Sequence, residues 1–322
     1  MRGRKPSFVG GQMNLEDVTI KDIENHKLIT ANELTKDLND LLRYDASVNT
    51  NSFYGNPFLY HHQLKNLLKC KRTNRKTIYE IYNNKKDWDA FIDSAKKRDR
   101  GGKSAANNVF ECYRINLGSI VMFKATTAKY LYQKYNAQSV LDPTAGWGGR
   151  MLGAGALDID YIGIDTNIEM KPAYDNMIEV LNNKSRHDLF DFKQSNLQMI
   201  WQNALDVDFS QLNYDFVLTS PPYVNLELYE HMELWESDQH FYTQFLIPLW
   251  QKCYYNIKKG GHVCFNISPK MYDDAIEHGL KPCDKEEDLL QQLGYYGYNC
   301  PEPEKRKKQD KIYIWESKCS ET

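Results

Sequence analysis

The 322-residue sequence has no C-x-x-C pair, no apolar run of about 18 residues, and no complete dinucleotide fingerprint. Each absence removes a class of protein. Seven cysteines (Cys70, Cys112, Cys253, Cys264, Cys283, Cys300 and Cys319) are scattered and odd in number. That excludes a zinc-ribbon site and a disulfide framework, and points to reduced thiols in a cytosol-like compartment. His61 and His62 are adjacent and lack nearby acidic partners, so no metal site is expected. Without a long apolar run, no membrane-spanning helix is expected. The opening MRGRKPSFVGGQ has no apolar stretch behind its charges, so no secretory leader is expected either.

Strong overall charge is also lacking: the formal net charge is −2. Its distribution is uneven, however. Residues 61–130 hold 16 Lys and Arg against 6 Asp and Glu, whereas the rest of the chain holds 25 against 37. A basic segment on an otherwise acidic chain is the footprint of a polyanion-binding face.

The texture of the chain divides it into a helical, basic module over 1–112 and an α/β domain over 113–322. In the first, Ala31 to Tyr44 is amphipathic, and Leu64, Leu67, Leu68, Ile78, Ile81 and Tyr82 recur at helical spacing through 60–98. NTNSFYGNPF (49–58) and DRGGKSAANN (99–108) break the pattern. In the second, short β-type runs at 139–142, 161–165, 214–220, 262–268 and 311–317 alternate with helical stretches around 122–135, 148–157, 168–183, 238–258 and 284–293. A weaker strand is placed at 200–203. The alternation predicts a mainly parallel sheet with helices on both faces. YYGYN (295–299) and KIYIWES are read as an antiparallel pair at the sheet edge. In such folds ligands sit beyond the carboxyl ends of the strands, so the residues after each strand carry the chemistry.

The first strand runs into Asp142-Pro143-Thr144-Ala145-Gly146-Trp147-Gly148-Gly149. A G-x-G-x-x-G fingerprint would need glycine where Met151 stands. A carboxylate at Asp142 repels a pyrophosphate but suits a positively charged amino-acid moiety. The loop therefore fits S-adenosylmethionine better than NAD, which excludes a Rossmann dehydrogenase. The second strand ends in Asp165, near the offset at which nucleotide folds place the acid that holds ribose hydroxyls. Asn203 follows the third strand and offers an amide to an adenine edge.

The fourth strand runs into Ser220-Pro221-Pro222-Tyr223. Two prolines fix φ and remove backbone donors, leaving a rigid extended loop with free carbonyls. An exocyclic amine is a poor nucleophile because its lone pair is delocalised into the ring. The Ser220 hydroxyl and the Pro221 carbonyl can accept its two N–H bonds and aim the lone pair at a methyl group. Tyr223 can stack on the base. Orientation and fixed dipoles then supply the rate.

These two loops resemble the amino-group DNA methyltransferases. DPTAGWGG is similar to their D-P-F-x-G-x-G cofactor loop, and TSPPY to their D/N/S-P-P-Y/F tetrapeptide. The resemblance covers residues 115–317. It implies a Rossmann-like class I methyltransferase fold with a seven-stranded sheet and S-adenosylmethionine as cofactor. Phe123, Lys124, Asp142, Pro143, Thr144, Gly146 and Gly148 then hold the methionine end, Asp165 the ribose and Asn203 the adenine. Asn203 departs from the family's usual Asp, and Thr144 from its usual Phe. Ser220, Pro221, Pro222 and Tyr223 take the target amine, N4 of cytosine or N6 of adenine.

A base in a duplex must be flipped out to reach such a site, and Tyr223, Tyr229 and Trp235 could grip it or could belong to the core. Phosphate contacts are expected from Arg72, Arg75, Arg98, Arg100, Lys305 and Arg306, which lie in three basic runs. The alternatives are transfer to RNA or to a protein amide, and a non-catalytic nucleic-acid-binding protein on the same fold.

Overall fold

Three Thr-x-x-acid tetrads start helices in the first third of the chain. Thr19 with Asp22, Thr30 with Glu33, and Thr77 with Glu80 each form a reciprocal capping box. They open α1 (Ile20–Asn25), α2 (Ala31–Arg43) and, after α3 (Asn56–Leu68) and the short strand β1 (Lys71–Arg72), α4 (Ile78–Tyr82). α5 (Lys85–Arg98) and α6 (Ala105–Tyr113) complete this part. The computed structural model describes residues 14–47, 52–99, 101–118, 121–184, 195–224, 227–228, 234–287 and 310–317.

The helical stretch expected over 60–98 consists of three helices, with β1 between the first and the second. The sequence KRTNRK cannot continue a helix there, because Asn74 takes a left-handed conformation with φ of 63°.

α7 (Ala125–Lys134), β2 (Ser139–Asp142), α8 (Gly149–Gly155), β3 (Asp160–Asp165), α9 (Lys171–Lys184), β4 (Leu197–Trp201) and β5 (Phe216–Thr219) follow in alternation. After the two-residue strand β6 (Glu227–Leu228), α10 (Asp238–Phe241) passes through a π-helical turn (Tyr242–Leu246) into α11 (Ile247–Asn256). Then come β7 (His262–Ile267), α12 (Pro269–Glu277), β8 (Lys285–Glu287) and β9 (Lys311–Glu316).

Seven strands form one sheet in the order β4-β3-β2-β5-β7-β9-β8. β4, β3, β2, β5 and β7 run parallel, and β9 is antiparallel to both β7 and β8. This is the Rossmann-like fold the resemblance implied, with its antiparallel C-terminal pair. The partner of β9 differs from expectation. It is Lys285–Glu287, at the start of a stretch expected to be helical, while YYGYN lies outside the described residues. Three charged residues carry no apolar alternation, so pairing with β9 alone makes them a strand.

Strand residues alternate between two cores. Val140, Tyr161, Phe216, Leu218, Cys264, Ile312 and Ile314 face one, with α2, α3, α7, α8 and α9. Leu141, Ile162, Val217, Val263, Phe265, Tyr313 and Trp315 face the other, with α11 and α12. Period-two alternation with both faces apolar is what a sheet covered on both sides requires.

α3 joins the helical part to this sheet. Phe58, Leu59 and Leu67 pack into the first core, while Leu64 and Leu68 pack with α1, α4, α5 and α6. Two buried charges fasten the joint. Lys129 on α7 donates to the carbonyls of Leu41, Leu42 and Tyr44 at 2.9, 2.8 and 2.9 Å, satisfying the C-terminal end of α2. Asp37 on α2 accepts from the backbone N–H groups of Gly55 and Phe58 at the start of α3. Among the described residues no helix is long and apolar enough to cross a membrane.

Candidate active site

The carboxyl ends of β2, β3 and β5 bring the two singled-out loops together. Gly146 and Gly148 take left-handed conformations, with φ of 56° and 84°, and turn the chain sharply between β2 and α8. Gly149 is required by space instead. A Cβ there would lie 1.9 Å from the carbonyl oxygen of Phe123. The segment before α7 therefore rests directly on the first turn of α8.

Asp142 has no exposed surface. Its Oδ2 accepts from Arg150 Nε at 2.6 Å and from the Tyr161 hydroxyl at 2.7 Å. Arg150 also donates to the Thr144 carbonyl at 2.5 Å and lies over the Phe123 ring, 5.2 Å from its centre. Burial works against the Arg150 charge, but the Asp142 carboxylate more than offsets it, and the guanidinium titrates above its ordinary value. Asp142 thus anchors the loop from beneath through Arg150, and its Oδ1 is buried with no hydrogen-bond partner among the described residues. The parts of the loop that reach solvent are Thr144 and Gly146, while Pro143 and Gly148 are buried.

Asp165, at the end of β3, accepts the Gly146 N–H at 2.8 Å and the Asn167 N–H at 2.9 Å. Burial raises its pKa, against the lowering effect of those two bonds. The carboxylate keeps lone pairs for further donors and remains partly accessible. Tyr174 of α9 closes the loop from the other side, donating to the Gly146 carbonyl at 2.9 Å. After β4, the Asn203 Oδ1 accepts from Leu205 N–H at 2.9 Å, which leaves its NH2 as the group available for a ligand.

Lys124, next to Phe123, is buried. Its ammonium sits 4.6 Å from the centre of the Phe53 ring. Desolvation lowers its pKa to about 8.

β5 delivers the tetrapeptide. Thr219, fully buried, shares a hydrogen bond of 2.6 Å with the Thr144 hydroxyl, so the loop after β2 and the loop after β5 are in direct contact. Ser220 is half-buried and its hydroxyl is paired with Asn266 of β7. Pro221 is buried; Pro222 and Tyr223 are partly exposed. The Tyr223 hydroxyl lies close enough to the carboxylate of Asp310, just before β9, to favour its charged form. Burial raises the Asp310 pKa, partly countered by that hydroxyl.

Arg150, Tyr174, Asn266 and Asp310 were not anticipated. Two signals were present. Arg150 is the lone charged residue of the otherwise small and apolar α8, and Asn266 is the polar exception inside the apolar run of β7. Tyr174 and Asp310 carry no such mark.

The basic segment is tied to the same region. Lys71 and Arg72 pair antiparallel with Leu228 and Glu227, four to five residues after Tyr223. Within this turn Lys71 is neutralised by Glu80 at 2.7 Å and Lys76 by Asp87 at 2.5 Å. Among the described residues, Arg72, Arg75 and Arg98 have no acidic partner. Arg75 lines a groove of about 380 Å3 with Lys76, Phe91 and Asn116. Arg100, Lys305, Arg306 and Tyr229 lie outside the described residues. Trp235 is buried among Phe241 and Phe245, a core position. His61 Nδ1 accepts from the Ile29 N–H at 3.1 Å, and no cluster of metal-binding side chains occurs among the described residues.

No protein-family model matches the chain, and no curated protein matches it. Several solved structures resemble it in part. The tRNA m1G37 methyltransferase of M. jannaschii aligns at 16% identity over 60% of this chain and 49% of that one, with a TM-score of 0.35. An RNA methyltransferase from Salinibacter ruber, solved with S-adenosyl-L-homocysteine, aligns at 13% identity over 63% of this chain and 98% of that one, with a TM-score of 0.37. A rRNA methylase from Streptococcus thermophilus aligns at 10% identity over 62% of this chain and 100% of that one, with a TM-score of 0.38. This chain spans about half the length of the first of these.

Proposed function

We propose that the protein is an S-adenosylmethionine-dependent methyltransferase that acts on DNA, at the exocyclic amine of a flipped base, N4 of cytosine or N6 of adenine. The observation that carries this reading is the 2.6 Å hydrogen bond between Thr144 and Thr219. It holds the glycine-rich loop beside Asp165 against a loop suited to an amine, as transfer between two bound reactants requires.

When bound, S-adenosylmethionine supplies an electrophilic methyl group. The backbone of Pro143–Gly148 and the Lys124 ammonium would hold its methionine end, Asp165 its ribose hydroxyls, and the Asn203 NH2 its adenine. Asp142 acts through Arg150, which fixes the loop. On the acceptor side Ser220 and the Pro221 carbonyl accept the two amine N–H bonds, and Tyr223 stacks on the base. Rigid prolines keep those acceptors in place, so little reorganisation is needed during transfer. A basic helical module over residues 1–112 contacts phosphates through Arg72, Arg75 and Arg98, with Arg100, Lys305 and Arg306 as further candidates.

The test is methyl transfer from labelled S-adenosylmethionine to mixed-sequence duplex DNA, single-stranded DNA, RNA and a glutamine-containing protein, with S-adenosylhomocysteine binding measured in parallel. Label in DNA supports the proposal. Label confined to RNA, or to protein, moves the substrate there. Cofactor-product binding without transfer to any of the four supports a non-catalytic role.

A further inference from the structure

An amine substrate requires of Ser220 an oxygen lone pair aimed at its N–H. A serine hydroxyl does not guarantee that. It is a donor as well as an acceptor, and its proton rotates to suit its surroundings. With the proton pointing into the cleft, Ser220 would repel an amine N–H and welcome a keto oxygen. Something must hold that proton aside.

The register of the sheet supplies a holder. Thr219 lies opposite Phe265, so Ser220 leaves β5 beside Asn266, at the same edge of β7. The Asn266 side chain is only 3% exposed. Its Nδ2 donates to Ser220 Oγ at 3.1 Å, and Ser220 Oγ donates to the Asn266 main-chain carbonyl at 3.4 Å. Ser220 has one donor and two lone pairs. The donor goes to the carbonyl and one lone pair takes the amide N–H, which leaves one lone pair.

Turning the Asn266 amide over gives the same result, because Oδ1 would then take the Ser220 proton. Asn266 Oδ1 has no hydrogen-bond partner among the described residues. A buried acceptor without a donor costs stability, so packing alone gives no reason for an amide here.

We propose that Asn266 is a positioning residue that fixes Ser220 as a hydrogen-bond acceptor, and so makes the site select a base bearing an amine over the same ring bearing a keto oxygen. This rests on the methyltransferase reading. A site whose polarity is set this way leaves a buried pair mismatched when the wrong group enters, the kind of discrimination that contacts between apolar groups cannot supply.

The experiment uses the full-length protein and Asn266→Leu, which keeps the branched skeleton and the main-chain carbonyl but removes the Nδ2 donor, so that the Ser220 proton is held by the long 3.4 Å bond alone and can swing into the cleft. Turnover is measured on the polymer that wild type labels. Binding is measured to the same oligonucleotides with cytosine replaced by uracil, or adenine by hypoxanthine. Asn266→Leu is expected to lower kcat by about 30-fold, less than the loss of a polar group that itself touches the transition state. KM for S-adenosylmethionine should stay within about two-fold. The preference for amine over keto oligonucleotides should shrink with kcat, a change that mere loosening of the loop would not produce. Unchanged kcat and unchanged preference would overturn the proposal. If wild type labels no base amine, the methyltransferase reading fails first, and the two failures are told apart. Should Asn266→Leu unfold, Asn266→Asp takes its place. Its carboxylate still engages the Ser220 proton, so at neutral pH kcat should stay within about three-fold of wild type, and a much larger loss in a folded variant would overturn the proposal.

Discussion

Arg150 Nε lies 2.6 Å from Asp142 Oδ2, and their side chains are 5% and 0% exposed. The pair sits at the root of the loop between β2 and α8. Removing one member strands the other as a buried charge, which costs about 3–5 kcal/mol. Asp142→Asn and Arg150→Leu are therefore both expected to lower the melting temperature and to weaken S-adenosylhomocysteine binding together. Calorimetry of the two variants checks this. Normal stability with selectively lost binding would instead make Asp142 a direct ligand.

Ser220→Ala and Tyr223→Ala are expected to leave cofactor binding intact and to reduce transfer. For Ser220→Ala the loss should be about 100-fold in kcat, because the contact it removes acts on the developing charge of the amine. For Tyr223→Ala it should appear mainly in KM for the polymer, since stacking on the base is worth about 1–3 kcal/mol. Steady-state kinetics with each substrate varied in turn separates the two.

Lys129 holds three carbonyls at the end of α2. Lys129→Met keeps the length of the side chain and removes every donor. The loss of these bonds to a charged donor should cost about 3–5 kcal/mol. Denaturant titration measures the loss. Hydrogen exchange should show it first in α2, whose C-terminal carbonyls lose their partner.

Acid should loosen the helical part before the sheet. Burial lowers the pKa of His26 to about 4 and, with a smaller contribution from His61, that of His62 to about 4, against 6.5 for the ordinary imidazole. Their folded pKa values are depressed, so the fold favours the neutral rings. Their contribution is fully present above pH 6.5 and is lost as pH falls toward 4, on the order of 1–3 kcal/mol for each ring. His26 packs on Phe110 and His62 on Phe58. Melts between pH 7 and 4.5 should therefore drop more steeply for wild type than for His62→Phe.

Legibility followed physical pattern. β2 matched its predicted span, and β3, β5, β7 and β9 lay within two residues of theirs, because apolar runs bounded by turn residues are a local signal. β8 was missed because Lys285–Glu287 has no such pattern and is a strand only through its neighbour. Both loops of the candidate site were readable from their glycines and prolines, which declare their own backbone constraints. What surrounds them was not. At Asp142 a sequence shows the carboxylate but not the arginine folded against it. Asn266 and Asp310 reach the tetrapeptide from 46 and 87 positions further along the chain, which only the sheet register brings about.

The most direct test of the central claim is the chemical identity of the product. DNA incubated with the protein and S-adenosylmethionine is digested to nucleosides and analysed by mass spectrometry, with Ser220→Ala alongside. The account expects N4-methylcytosine or N6-methyladenine from wild type, and at most traces from the variant. A methyl group on a ring carbon or a ribose oxygen, or equal product from Ser220→Ala, would contradict it.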